Sequence, residues 1–425
     1  MKVRNSMTLR ILLVCMVLLF AWTSNCLAKE RLTIHLVSLH PNAIKYINEN
    51  VIPEFESKYN VEVSLVKVDW NTRNDELIIS TAGGIPPDIY MSGAEHIKEL
   101  VDLGLIYPID KEWEAWEDKD DFFPATLGSS TFDGQRYGVP IYTAPRLWWY
   151  RKNVFDESGL DSSRPPTNWT ELLNTVKRLT ETDGADRVLR QGYDLSRMYP
   201  GDMHSAIQDY IVYLWQAGGK LVDETTRQPL FNTNAGREAL QFMVDLKETV
   251  LPPGMTLAAV RGAGGAFVQS KSAIYLAGPW VPAEVRDVFP DQLDDVGGFY
   301  KLEGKGGAYS VVFSDWLGIH SASPNKELAW RFIQALTSAE TLVGMHLYTG
   351  LLAPRRSVVE DFVQVMPASR YIYESMDYMR AFPIAADSME MREAWFEQYT
   401  EVMAGRKDVD NGLAEAARVW SVLAK

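Results

Sequence analysis

The chain has 425 residues, 46% hydrophobic, 11% aromatic and 23% charged, too long for one ordinary core and too aromatic for a disordered chain. Lys and Arg number 42 against 56 Asp and Glu, a formal charge of −14, so nucleic acid and anionic headgroups are poor partners for the surface as a whole. In chain order, Lys2, Arg4 and Arg10 come first, then the apolar run 11–22 and a short polar stretch ending in Cys26 and Ala28. A basic start, a short apolar core and small residues before the cut read as a secretory signal peptide over 1–28, cleaved after Ala28. The apolar run is too short to span a bilayer. Lipidation of Cys26 needs a small residue just before it and an aliphatic one at three before. Asn25 and Thr23 fit badly, so no membrane anchor is expected. Both cysteines, Cys15 and Cys26, lie in that segment, so the exported chain is expected to be free of thiols and disulfides, at a charge of −17 once three basic residues are removed.

LTIHLVS (32–38) reads as a first strand, and helical periodicity follows from Ala43 to about Tyr59, with Ile44, Ile47, Val51 and Phe55 on one face. VEVSLVKV (61–68) alternates like a strand, DELIISTAGG ends a helix on glycines, and PPDIYMSG is a short buried strand. This alternation predicts α/β layers. In GVPIYTAPRLWWYRK (138–152) two extended runs flank a proline-containing turn. From Pro166 the pattern is mostly helical: NWTELLNTVKRLT, AIQDYIVYLWQAGG and NAGREALQFMVDLKETV, with Asn168 as N-cap of the first and Asn232 or Asn234 of the last. SAIYLAGPW (272–280) and DWLGIHSA (315–322) read as buried strands, GKGG (304–307) as a loop, and helices dominate the C-terminal third. No repeat or long linker breaks the chain.

No phosphate-binding GxxxxGK[ST], dinucleotide GxGxxG, HExxH or GxSxG motif occurs. The six histidines, His35, His40, His96, His204, His320 and His346, lack metal-ligand spacing, so neither metal nor other cofactor is expected. The acidic run EDKDD (117–121) reads as a solvated face. Nothing marks a facing carboxylate pair for glycoside cleavage.

Several segments together resemble the bacterial extracellular solute-binding proteins of family 1, the sugar receptors of ABC importers. They include FESKYNVEVSLVKVDW (55–70), AGGIPPDIYMSG (82–93), DGQRYGVPIYTAPRLWWYRKNVFDESGL (133–160), PPTNWTELLNTVKRLT (165–180), AFVQSKSAIYLAGPW (266–280) and GIHSASPNKELAWRFIQALTSAE (318–340). They stand in the family's order over nearly the whole exported chain. The resemblance implies an α/β, two-lobed periplasmic binding protein fold of type II, its lobes joined by hinge crossings. Lobe one would be 29–142 plus 300–338, and lobe two 146–296 plus 340–425. The crossings would fall at Tyr142–Arg146, near Val296–Tyr300 and at Thr337–Glu340. The implied protein is a periplasmic monomer that hands a sugar to permease subunits in the membrane.

A sugar offers apolar C–H faces and a ring of hydroxyls, so recognition needs flat aromatic platforms and several hydrogen-bonding groups. By the resemblance, Trp280 after Gly278-Pro279 is the stacking residue. Ser92 and Glu95 stand on a ligand-facing loop, Ser92 where maltose-binding members carry an aromatic. Asn74 and Asp75 align with acidic contacts, and Trp70 precedes them at a strand end. Tyr142 and Thr143 enter the hinge facing the cleft, while Ala144 departs from an acidic family position. Asp315 and Trp316 replace two glycines of many relatives, Arg356 is placed to aim at ligand oxygens, and His204 to bond a hydroxyl. Asp88 reads as structural, and Trp395, at helical spacing with Phe396 and Tyr399, as core. A same-fold receptor for a polyol, sugar phosphate or oligopeptide is the first alternative, though phosphate would want several basic groups in the cleft, where only arginines and His204 qualify. A secreted carbohydrate-active enzyme is the second.

Overall fold

The computed structural model describes residues 29–424 apart from 38, 70–71, 186, 199–201, 253–264, 348 and 384–388; the expected signal segment lies outside the described residues. Its main strands are β1 (Glu30–Val37), β2 (Val61–Val68), β3 (Ile89–Ser92), β4 (Gly138–Pro140), β5 (Ala144–Pro145), β6 (Leu147–Arg151), β7 (Ile274–Ala277), β8 (Val296–Phe299), β9 (Ser310–Phe313), β10 (Trp316–Ile319) and β11 (Met379–Ala381). They form a five-stranded sheet in the order β2-β1-β3-β10-β4 and two three-stranded sheets, β7-β6-β8 and β11-β9-β5.

In the first sheet β1 runs parallel to both β2 and β3, while β10 lies antiparallel between β3 and β4. Leu32, Ile34 and Leu36 on β1 are fully buried, the period-two face expected of a strand against a helical layer. That layer includes helices Pro41–Tyr46 and Ile52–Tyr59, joined by a π-helical stretch over Ile47–Val51. Pro53 explains the wider turn. Its nitrogen cannot donate and its ring crowds the carbonyl four residues back, and just before it Ile52 N–H bonds Ile47 O, five back in the π pattern. Asp88 is structural, as expected: its carboxylate accepts from Thr33 N at 2.8 Å and Ser323 Oγ at 2.6 Å, tying β1 to the turn after β10.

The second sheet centres on β6, whose five residues LWWYR are all buried. Helices Trp169–Leu179, Met203–Gln216 and Asn234–Val250 contribute to its core, together with Trp395 and Tyr399, which stack at 5.0 Å. Asn168 caps the first helix by accepting from Glu171 N at 3.0 Å. The third is capped by Thr233, which accepts from Gly236 N at 3.3 Å, rather than by Asn232 or Asn234. The acidic run 117–121 is only partly a solvated face: Asp118 and Asp121 pair with buried Arg355 Nη1 at 3.0 and 3.3 Å.

The chain leaves the first sheet after β4 and enters the second at β6. It returns later than the sequence reading places it. Leu302 and Val311 belong to the second core, and GKGG forms the tight hairpin Glu303–Gly304 with Gly307–Ala308. Gly306 N–H donates to Gln216 O, so 302–311 packs with the second core, while Val312 joins the other core just before β10. The final helical region also starts differently. Helix Ala339–His346 packs on the first lobe, where Gly344 leaves room for the Tyr46 ring, and His346 Nε2 lies 3.0 Å from Ile141 O.

Candidate functional site

Between the two bodies lies a cavity of about 500 Å³. The first lobe supplies Leu39, His40 and Ala94. The crossing segments supply Tyr142, Ala144, Arg146, Phe313 and Asp315. The second lobe supplies His204, Ile207, Gln208, Trp280, Phe382 and Arg392, and Leu351 completes the wall.

Local rules place these side chains. Asp202 caps helix Met203–Gln216 by accepting from Ser205 N at 2.9 Å. His204, Ile207 and Gln208 then fall at i, i+3 and i+4 on one face. Trp280 follows β7 through the Gly278-Pro279 turn and starts helix Val281–Val288. Its indole folds back over Gly278, where any Cβ would strike the ring, and its Cα and Cβ lie against Gly350. Asp315 and Trp316 are neighbours at the start of β10, so the pleat sends them to opposite sides. Asp315 lines the cavity, while Trp316 is fully buried and needs the missing side chains of Gly138 and Gly318.

Arg146 is central. Its amide donates to Val311 O at 2.9 Å and its carbonyl accepts from Ser310 Oγ at 2.7 Å, which locks the backbone into the third sheet. Its guanidinium is 4.8 Å from the ring centroids of both Trp280 and Phe313. Nη1 donates to Ala144 O at 2.8 Å and Nη2 to Gln208 Oε1 at 3.3 Å, while Nε has no protein partner. Beside it Arg197 donates through Nε and Nη2 to Asp209 Oδ1 at 3.0 and 2.8 Å, and through Nη2 to Gln208 Oε1 at 3.1 Å. Burial, and then repulsion from Arg197, pull Arg146 down to about 9 from arginine's ordinary value, against the opposing pull of Asp209. At the rim Arg392 Nη1 lies 3.3 Å from His204 Nδ1.

Of the residues singled out by sequence, Tyr142, Trp280, Asp315 and His204 meet in this cavity. Others do not line it. Thr143 is fully buried, its amide donating to Leu352 O at 2.8 Å and its hydroxyl 3.4 Å from Ser314 Oγ. Ser92 is buried at the end of β3 opposite Trp316. Asn74 turns inward and donates to Glu99 Oε2 at 2.7 Å. Asp75 is exposed in the first turn of helix Arg73–Ala82. Trp316 is core, for the steric reason above. Arg356 is exposed and lies 4.8 Å over the Phe123 ring, while its neighbour Arg355 is the buried one. Trp70 and the side chain of Glu95 lie outside the described residues. Arg146, Gln208, Arg392 and His40 were missed. Gln208, four residues after His204 on a helix start, was the most readable of them.

Chemically the cavity can hold a polar solute: aromatic rings, one amide, one carboxylate and several cationic or protonatable groups converge on it. Among the described lining residues Asp315 is the single carboxylate. Among the described residues no cluster of His, Cys, Asp and Glu is arranged to hold a metal ion, and no helix is long and apolar enough to cross a membrane.

The profile of the bacterial extracellular solute-binding proteins matches residues 40–342. A binding protein of Brucella abortus is 23% identical over 291 residues, covering 68% of this chain and 67% of the relative. The mannitol-binding protein of Pseudomonas aeruginosa is 25% identical over 279 residues, 64% of this chain and 58% of the relative. Among solved structures, the sugar-binding protein MalE of Xanthomonas citri superposes with a TM-score of 0.79 at 20% identity, over 92% of this chain and 97% of that one. The two-lobed α/β fold expected from the sequence is the one observed.

Proposed function

The chain belongs to the bacterial extracellular solute-binding proteins, and from that premise we propose that it binds a sugar or sugar-like solute between its lobes and delivers it to an ABC permease. The observation that carries this reading is the convergence of Trp280, Tyr142, Gln208 and Asp315 on one cavity of sugar size, from the crossing and the second lobe, with His40 and Ala94 facing them from the first. An indole supplies the flat apolar partner of a sugar face, and the amide and carboxylate accept from hydroxyls. Family members are binding proteins, which supports binding without turnover.

On this reading the protein works as a monomer in the periplasm after cleavage behind Ala28, with no membrane anchor at Cys26. Mannitol, named for one relative, and common sugars define the first panel to try. A thermal-shift screen of the chain from Lys29 onward against monosaccharides, oligosaccharides and hexitols tests it. A ligand at a hundred times its dissociation constant adds ~2.7 kcal/mol of stability. Saturable stabilisation with the ligand recovered unchanged supports the reading; release of a cleaved product turns it toward the enzyme.

A further inference from the structure

The wall of the cavity holds more positive charge than a neutral sugar can use. Arg146 is 8% exposed, and its Nε finds no partner in the protein. The carboxylate that acts on Arg146, Asp209, is already engaged by two nitrogens of Arg197, so two buried guanidiniums share this buried acid. Arg392 stands on the same wall beside the imidazoles of His204 and His40, and Asp315 is the one acid among the described lining residues. In a chain of formal charge −14, this local excess is the reverse of the surface average.

We infer that the solute carries an anionic group, a carboxylate or a phosphate on a sugar, and that Arg146 receives it, with Arg392 and His204 at the rim. The inference rests on the sugar-binding reading above and narrows its ligand class. Closure over a neutral sugar would dry the Arg146 guanidinium without neutralising it, which is costly for a buried charge. Closure over an anion supplies a second counter-ion beside the shared Asp209, through charge-assisted hydrogen bonds to a planar donor fork. The flanking rings of Trp280 and Phe313 hold that fork in place. Burial and Arg197 lower the proton affinity of Arg146 by more than Asp209 raises it, and a bound anion would act in the same sense as Asp209.

Calorimetry on the chain from Lys29 onward, with matched probes, tests this: D-galactose against D-galacturonate, and D-glucose against D-glucuronate and glucose 6-phosphate. The acidic probe of at least one pair is expected to bind about tenfold tighter or more than its neutral partner. Arg146→Gln should erase roughly 10- to 100-fold of that preference, and Arg146→Lys should keep part of it. Preference for the uronates assigns a carboxylate, and preference for glucose 6-phosphate a phosphate. If Arg146→Gln does not fold, Arg392→Gln at the rim takes its place, with a several-fold loss of preference expected. Neutral sugars that bind as tightly as their acids, or a preference untouched by these substitutions, overturn the inference and leave the sugar-binding reading standing. Lack of saturable binding by every probe, charged or neutral, overturns both.

Discussion

Trp280 has two jobs that one substitution can separate. Its half-buried indole lines the cavity and also rests on Gly278 and beside Arg146. Trp280→Ala is expected to weaken solute binding by roughly 30-fold or more, as loss of an aromatic anchor does. It should lower stability by only ~2 kcal/mol, less than a fully buried tryptophan would. Titration of a bound solute and denaturant unfolding of the same variant give both values. A variant that melts early yet binds normally would assign the indole to packing alone. At this scale the sequence was legible where a motif stands at the end of an element: Trp280, Tyr142 and Asp315 lie beside strand ends and His204 in the first turn of a helix. It was not legible where orientation depends on a distant partner. Trp316 and Asp315 are adjacent, and only the glycines at 138 and 318, opposite and two residues on, decide which one is core. Arg146 gave no local signal because its rings, its amide and the competing Arg197 come from four separate segments.

The helix Ala339–His346 shows how an element can carry a pH response away from the cavity. His346 is buried, and burial lowers it to about 4, with its hydrogen bond to Ile141 O opposing. The unfolded chain takes up that proton near the ordinary histidine value of about 6.5, while the native fold refuses it until about 4. Stability is therefore full above ~6.5 and is lost as pH falls toward ~4, by roughly 3 kcal/mol from this residue. His346→Gln should flatten that part of the acid response. His35 and His320 are also held down, chiefly by burial, so the readout is the difference between parent and variant in urea unfolding at pH 7.5, 5.5 and 4.5. Parallel loss in the two proteins would assign the acid response to other groups. The helices themselves were readable from periodicity. Their attachments were less so: Gly344, which lets this helix close on Tyr46, looks like any helical glycine in sequence, and the glycine-rich hairpin at 303–308 reads as a loop until its backbone meets Gln216.

At the scale of the whole molecule, the cavity lies between bodies joined by crossings at 141–146 and 313–316, so solute contacts from both sides can draw the lobes together. The closed form is favoured only by contacts that the open one lacks. A smaller radius of gyration in small-angle scattering is expected when a confirmed solute is added, and an unchanged value would mean a rigid cleft. The position of β10 has a separate consequence for how such a chain is made. This strand sits between β3 and β4 in the first sheet, yet it is encoded after the whole first part of the second lobe, from Leu147 to Phe313. A chain emerging N-terminus first therefore cannot complete its first lobe as it appears, because the strand that bridges β3 to β4 has still to be synthesised. Long-range pairing of this kind is slow to form. The delay leaves the first sheet unfinished until Trp316–Ile319 has been made, and the edges of β3 and β4 stand exposed to neighbouring chains in the meantime.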